Sequence, residues 1–276
     1  MRLPVKHRAP ALLGAAALSA LLACSTQEPP RPRAASDVTS VSTLVSADVN
    51  TLGDGNMTLD SGVTLLKVTE FTWVFQAKNP APGANHGVSA NAGLFVAGTH
   101  AFVLDTLWND EQFESVLGYL ERHGVTVDLV LLTHAHQDRV GGLGAVMHHK
   151  IKVFARRETA ARVELRGFRA TPIEDRDRIA FEGESIEVLF PGPAHTNDNV
   201  VAFRSRDSVL YAGCAIKEKT AETLGFIEEA DLERWPEALF HIEKAFPRTM
   251  RIIPGHGEPG GRDLFAHTKE LLRQDD

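Results

Sequence analysis

Hydrophobic and polar residues along this chain follow two rhythms. Short apolar runs bounded by Gly, Pro, Asn or Asp mark strands, and apolar residues recurring every three or four positions mark helices. Ala101 to Asp105 reads as a strand, and Val125 to Thr133 as a buried one. Between them Asn109 is placed to cap a helix, with Gln112 at the capping-box position. Phe113, Val116, Leu117 and Leu120 give that helix its apolar face, and Gly124 ends it. Gly141 to His149 and Arg157 to Leu165 read as helices on either side of a strand at Ile151 to Ala155. Further strands are expected at 179–181, 186–190, 200–203 and 209–211. Asp231 is the expected cap of a helix whose face is Trp235, Leu239, Ile242 and Phe246. A last strand, Arg251 to Ile253, precedes a closing helix from Asp263 to Arg273. Strands interleaved with helices, with polar chemistry at the strand ends, predict an α/β layered sandwich.

The first part of the chain has a different character. Arg2, Lys6 and Arg8 precede an apolar run, Ala11 to Leu22, that is too short to span a bilayer comfortably. The run ends in Leu21-Leu22-Ala23-Cys24, which resembles a bacterial lipoprotein signal. Residues 1–23 are therefore expected to be removed, with lipid attached at Cys24 and a periplasmic, membrane-anchored product. Ser25 favours the outer membrane by the same resemblance. An ordinary secretory signal with an incidental cysteine is the alternative. Residues 24–60 are rich in Pro, Ser, Thr, Asp and Gly and read as tether and linker, leaving 61–276 for the folded domain.

Composition changes the picture in two places. A net charge of −7 argues against nucleic acid as the main partner, since phosphate binding wants a basic face. Cys24 and Cys214 are the two cysteines of the sequence, so lipidation of Cys24 leaves Cys214 without a disulfide partner. A lone thiol in an oxidising compartment needs protection, and coordination to a metal supplies it. Burial as a small hydrophobe is the plainer account.

The chemistry is concentrated at strand ends. Thr133-His134-Ala135-His136-Gln137-Asp138-Arg139 follows the apolar run 129–132 directly. Alternate spacing suits an extended strand end or tight turn, and places the side chains of His134, His136 and Asp138 on one side of the backbone. Three further segments repeat the design of strand, small-residue turn and ligand. They are Pro191-Gly192-Pro193-Ala194-His195, Tyr211-Ala212-Gly213-Cys214 and Ile253-Pro254-Gly255-His256-Gly257. Imidazoles, a thiolate and a carboxylate match the preferences of Zn2+. Six ligands exceed one tetrahedral ion and suit two, each with room for water.

The order HxHxD, His, Cys, His resembles the metallo-β-lactamases of subclass B1, over the chain from about Leu65 to its end. The matching words are Asp105-Thr106-Leu107-Trp108, Thr133 to Arg139, Pro191 to Asn199, Gly213-Cys214-Ala215-Ile216-Lys217 and Ile253 to Gly261. The resemblance implies an αββα sandwich of two mixed sheets and two Zn2+ ions at one edge. It implies a first zinc held by His134, His136 and His195, and a second by Asp138, Cys214 and His256. It makes Asp105 the carboxylate that orients a ligand histidine, although a strand-end turn former would look the same. It pairs Lys217 with the carboxylate of a β-lactam substrate, where the plainer reading is a solvated surface charge. Asp138 and Lys217 are then the catalytic candidates.

Two departures matter. The wider superfamily of hydrolases usually has HxHxDH with an aspartate bridging both metals; this chain has Arg139 where that last histidine would stand and Cys214 as the sulfur ligand, which moves it towards the lactamases. Phe226 stands where many relatives have an asparagine near the lactam carbonyl. A phenyl ring donates no hydrogen bond, so polarisation there would rest on zinc alone. Ala77 to Val88, with Pro80, Pro82, Gly83 and Gly87, is the expected flap; Trp73 and Phe75 beside it are expected in the core. His86, His100, His123, His148, His149, His241 and His267 carry no metal signal. The expected activity is zinc-dependent hydrolysis of the amide of penicillins, cephalosporins and carbapenems by a monomer. The rivals are a lactone, thioester or phosphodiester hydrolase on the same fold, and a zinc-binding lipoprotein without catalysis.

Overall fold

Consecutive residues along the strands point into different cores, which is why so many strands read as unbroken apolar runs. The computed structural model describes residues 52–53 and 56–274, so the signal and most of the tether expected from the sequence lie outside the described residues. Among the described residues no helix is long and apolar enough to cross a membrane.

The first sheet contains β1 (Met57–Thr58), β2 (Thr64–Lys67), β3 (Thr72–Lys78), β4 (Ser89–Ala97), β5 (His100–Leu104), β6 (Thr126–Leu132), β7 (Lys152–Arg156) and β8 (Thr171–Ile173), in that spatial order. Its β1 to β5 pairs are antiparallel meanders, and β5 to β8 run parallel, with helices α1 (Asp110–Arg122) and α4 (Arg157–Glu164) among their connections. The second sheet has the order β13-β12-β11-β10-β9, built from β9 (Arg176–Phe181), β10 (Glu184–Leu189), β11 (Val201–Arg204), β12 (Val209–Gly213) and β13 (Arg251–Pro254). Helices α2 (Gln137–Val140) and α3 (Leu143–His148) lie between β6 and β7, and α5 (Trp235–Ala245) and α6 (Asp263–Gln274) flank β13 in sequence.

Three cores stack these layers. Leu94, Val96 and Val103 of the first sheet meet Phe113, Val116 and Leu120 of α1. Phe95, Phe102 and Leu131, on the opposite face, meet Ile186, Val188 and Tyr211 of the second sheet. Val201, Phe203 and Leu210 then meet Trp235, Leu239 and Leu264 under α5 and α6. The result is the αββα sandwich of mixed sheets. Trp73 and Phe75 are fully buried in the outer two-layer packing of the first sheet, as expected of core residues.

Local signals act largely as read, with differences that have physical causes. The Asn109 side chain accepts from the Gln112 amide at 2.9 Å and caps α1. Asp231 does not cap α5. Its carboxylate accepts from the Arg234 amide at 2.9 Å and closes the turn before the helix, which begins at Trp235. The folded body starts before residue 61: β1 pairs with β2 from Met57, and the Leu52 carbonyl accepts from the Tyr119 hydroxyl at 2.9 Å. Isolated apolar side chains such as Leu52 and Leu59, both in the core, are too sparse to stand out within a polar segment.

Candidate metal centre

The backbone at the strand ends decides where each ligand points. After β6 the chain bends at Thr133, Ala135 and His136, whose ψ is 156°, and then enters the short helix α2. Of the two forms expected for the alternate spacing, strand end or tight turn, the segment takes the turn. The helical turn swings Asp138 away from the cluster of His134 and His136 and into a second one. His134 Nε2 lies 3.2 Å from His136 Nδ1, which lies 3.1 Å from His195 Nε2. Asp138 Oδ2 lies 3.3 Å from His256 Nε2, which lies 3.3 Å from Cys214 Sγ. The structure thus sorts the six ligand candidates into His134, His136, His195 and Asp138, Cys214, His256.

These spacings suit a metal. With zinc–nitrogen bonds of about 2.0–2.1 Å, tetrahedral donors sit about 3.3–3.4 Å apart. Burial holds His134 well below the ordinary imidazole range, aided by His136, Arg139 and His256 against Asp138. Burial likewise lowers His195 far and His136 less far. Neutral rings whose nitrogens face one another offer lone pairs, as metal ligation requires. In the second cluster burial would raise Asp138, but Arg139 and His256 hold its carboxylate well below the usual range. Burial opposes charge on His256, yet Cys214 and Asp138 push it up to about 9. A sulfur and a carboxylate beside an imidazole are a donor set that suits a zinc ion.

Surrounding groups fix the tautomers. His256 Nδ1 donates to the Ser89 carbonyl at 2.5 Å, leaving Nε2 for the cluster. The Thr133 hydroxyl sits 3.1 Å from His134 Nδ1 and 2.8 Å from Asp105 Oδ2. That hydroxyl has one proton, so it donates to Asp105 and accepts from His134, whose Nε2 stays free. Asp105 therefore acts on the ligand histidine through Thr133, without touching it. Burial raises Asp105 to about 6, against Arg139, Thr133 and Tyr211.

Arg139 is fully buried beneath the second cluster. Its guanidinium donates to Asp138 Oδ2 through Nε at 2.9 Å and Nη2 at 2.5 Å, and to the Asn91 and Gly255 carbonyls at 2.7 Å each. Asn91 in turn donates through Nδ2 to the carbonyls of Pro254 and Gly257, at 2.8 and 2.9 Å, pinning the His256 turn. Cys214 is aimed by a register shift between Tyr211 and Gly213, where Gly213 has a φ of 52°. Gly255 must lack a side chain, because a Cβ there would lie 2.5 Å from Cys214 Sγ.

Both clusters open on a cavity of about 390 Å3. Its walls include Lys217 and apolar surface from Val88, Trp108, Ile216, Leu224 and Phe226. Asn85 and Val88 bring the Ala77 to Val88 hairpin loop to its edge. The Lys217 ammonium lies 5.2 Å from the centre of the Trp235 ring, which also stands edge-on to His195. Burial lowers Lys217, against Cys214 and Asp138. Phe226 stands edge-on to His136, with ring centroids 5.3 Å apart.

A family model described as the metallo-beta-lactamase superfamily matches residues 87–258. The chain belongs to the metallo-β-lactamase superfamily. Among its relatives, the metallo-beta-lactamase IND-1 of Chryseobacterium indologenes is 34% identical over 190 residues, covering 67% of this chain and 79% of that protein. A metallo-beta-lactamase type 2 of Bacteroides fragilis is 27% identical over 221 residues, covering 78% and 86%. A solved metallo-beta-lactamase from Pontibacter korlensis superposes with a TM-score of 0.71 at 27% identity, covering 76% of this chain and 99% of that one. FIM-1 from Pseudomonas aeruginosa, solved in a mono-zinc form, gives 0.71 at 25%, covering 77% and 96%.

Several residues of this metallo-β-lactamase site escaped the sequence reading. Asn91 sits in the middle of a strand, and Thr133 reads as the end of an apolar run. Arg139 was legible only as a departure from a motif. None of these three has a spacing signal: Thr133 and Arg139 touch their neighbours His134 and Asp138 but act by joining them to the distant Asp105, and Asn91 reaches the His256 turn.

Proposed function

We propose that this chain hydrolyses the amide bond of β-lactams, with two Zn2+ ions held by the two triads. The observation that carries this reading is the pair of triads, with donor atoms near tetrahedral spacing, in the wall of one cavity beside Lys217. Two bound zinc ions would supply the Lewis acidity that activates water near neutral pH and polarises a carbonyl.

The chain's own residues do the rest. His134, His136 and His195 present neutral nitrogens, held so by burial. Asp138 and Cys214 supply the negative charge of the second site, and Arg139 keeps the carboxylate ionised and fixed. Lys217, half-wrapped by Trp235, offers its ammonium to the carboxylate of a bicyclic β-lactam. The apolar walls from Val88, Trp108 and Phe226 pack against substrate substituents and exclude water. Phe226 has no donor for the lactam oxygen, so no side-chain hydrogen bond at that position assists the carbonyl. Cys214 serves as ligand, and no acyl-enzyme on serine or cysteine is needed.

The sequence of residues 1–24 adds a lipid anchor on Cys24 and a periplasmic location to this proposal, for a chain acting as a monomer. The test is hydrolysis of a carbapenem and of nitrocefin, beside a lactone and a thioester, with zinc analysis on the same sample. The expected result is β-lactam turnover with two zinc ions per chain, abolished by a chelator and restored by Zn2+. Full turnover after verified metal removal would overturn the scheme. Turnover of the lactone or thioester alone would move the substrate assignment.

A further inference from the structure

The first triad has an outer support that lies on a separate helix. His136 turns Nδ1 to its fellow ligands, and its buried Nε2 makes no hydrogen bond; Glu229 Oε1, 3.5 Å away, is the carboxylate oxygen that faces it. Glu229 does not stand alone. Arg162, on α4, grips both of its oxygens, with Nη1 2.8 Å from Oε2 and Nη2 3.1 Å from Oε1. This is the forked, two-bond geometry that orients a carboxylate as well as attracting it. Arg162 also reaches towards Asp198, with Nη1 3.8 Å from Oδ1. Asp198 is buried, and Thr159, one turn earlier on α4, donates to its Oδ2 at 2.8 Å. Asp198 stands three residues after His195, in the same turn. One face of α4 thus meets the neighbours of two ligands: Glu229 behind His136, and Asp198 behind His195.

We infer that Arg162 is a positioning residue for the first metal site, holding Glu229 against His136 and tying the His195 turn to α4. The carboxylate that receives the outer N–H of a ligand imidazole fixes the ring and strengthens its lone pair. Arg162 decides where that carboxylate is. Freed from the fork, Glu229 is a half-exposed side chain with several rotamers, and His136, the more accessible of the first-site rings, loses the carboxylate that faces its Nε2. No titration is involved, and the hydrogen bonds and ion pairs of Arg162 and Thr159 go to Glu229 and Asp198, on the side of the first triad.

This inference rests on the metal-binding reading of the triads, and its test keeps the two apart. Zinc affinity is measured by chelator competition for the parent chain, Arg162→Ala and Arg162→Lys, with thermal unfolding of each metal-free protein. Two-ion binding by the parent supports the underlying reading, and its absence would sink that reading irrespective of Arg162. The expected result for Arg162→Ala is a loss of roughly 10–100-fold in affinity at one of two sites. Affinity at the other site and the metal-free unfolding midpoint stay at the parent's values. Arg162→Lys, which keeps the charge but loses the fork, is expected to recover part of the loss. Parent-like affinity at both sites in Arg162→Ala overturns the proposal. So does an equal loss at both sites, or a loss that tracks a lowered unfolding midpoint.

Discussion

Replacing Arg139 with methionine tests how the charges under the second triad are balanced. The guanidinium is fully buried and lies between two buried carboxylates, 2.5 Å from Asp138 Oδ2 and 3.3 Å from Asp105 Oδ2. Of the two carbonyls it serves, Gly255 O keeps the Asn91 amide as donor at 2.9 Å, while the single proton of the Tyr211 hydroxyl is shared between Asn91 O at 2.8 Å and Asp105 Oδ2 at 2.9 Å. The cost therefore falls on the carboxylates and on the Asn91 carbonyl. Removing one partner of a buried ionic network costs about 3–5 kcal/mol. At about 2–4 °C per kcal/mol for a domain of this size, the metal-free unfolding midpoint should fall by roughly 6–20 °C at pH 8.

The pH dependence gives the sharper check. Asp105 is raised from 3.8 to about 6 in the folded protein, so between those values the fold binds a proton that the unfolded chain has released. Its contribution is full below pH 3.8 and is lost as pH rises through about 6. Without Arg139 the folded-state pKa climbs further, and the loss deepens at higher pH. Asp138 also loses Arg139 and rises in the same direction, while carboxylates that do not touch Arg139 cancel, so the midpoint difference between variant and parent should be larger at pH 8 than at pH 5.5. A drop below about 2 °C at pH 8 would refute the burial cost. A larger gap at pH 5.5 than at pH 8 would refute the role assigned to Asp105.

Two other substitutions separate metal binding from substrate binding. Gly255→Ala puts a Cβ 2.5 Å from Cys214 Sγ and 2.7 Å from the Cys214 backbone nitrogen, so the thiolate must move. Zinc analysis should find the second ion lost and the first retained; two ions bound at parental affinity would contradict this. Lys217→Ala removes the cavity's ammonium and is expected to raise KM for a carboxylate-bearing β-lactam roughly 10–100-fold, the equivalent of a charged hydrogen bond worth about 1.5–3 kcal/mol. Zinc content should not change, and a parental KM would remove Lys217 from substrate binding.

Much of the scaffold was legible because its signals are local. Asn109 and Gln112 announce the start of α1 by capping chemistry that a few adjacent residues complete. The apolar run 129–132 announces β6 because both faces of that strand are covered. Local signals also have limits. Asp231 has the chemistry of a helix cap but serves a preceding turn, since Trp235 packs in the third core and sets where α5 begins. Leu52 and Leu59 sit in a polar segment and join the fold only through distant partners.

By itself, the sequence determined the fold class and the six ligand types, because strand-end turns with His, Asp and Cys are statements about adjacent residues. Its spacing did not determine which ligands meet; the resemblance assigned the two triads, and the structure brings the same groups together. The helical turn at Gln137 sends Asp138 to Cys214 and His256, while His134 and His136 meet His195. Nor did it show the supports behind them: Thr133 under His134, Arg139 between Asp105 and Asp138, and Arg162 behind Glu229. Hydrogen bonds and ion pairs act over about 3–4 Å of space whatever the separation along the chain. Only the packed sheets bring those groups within that range.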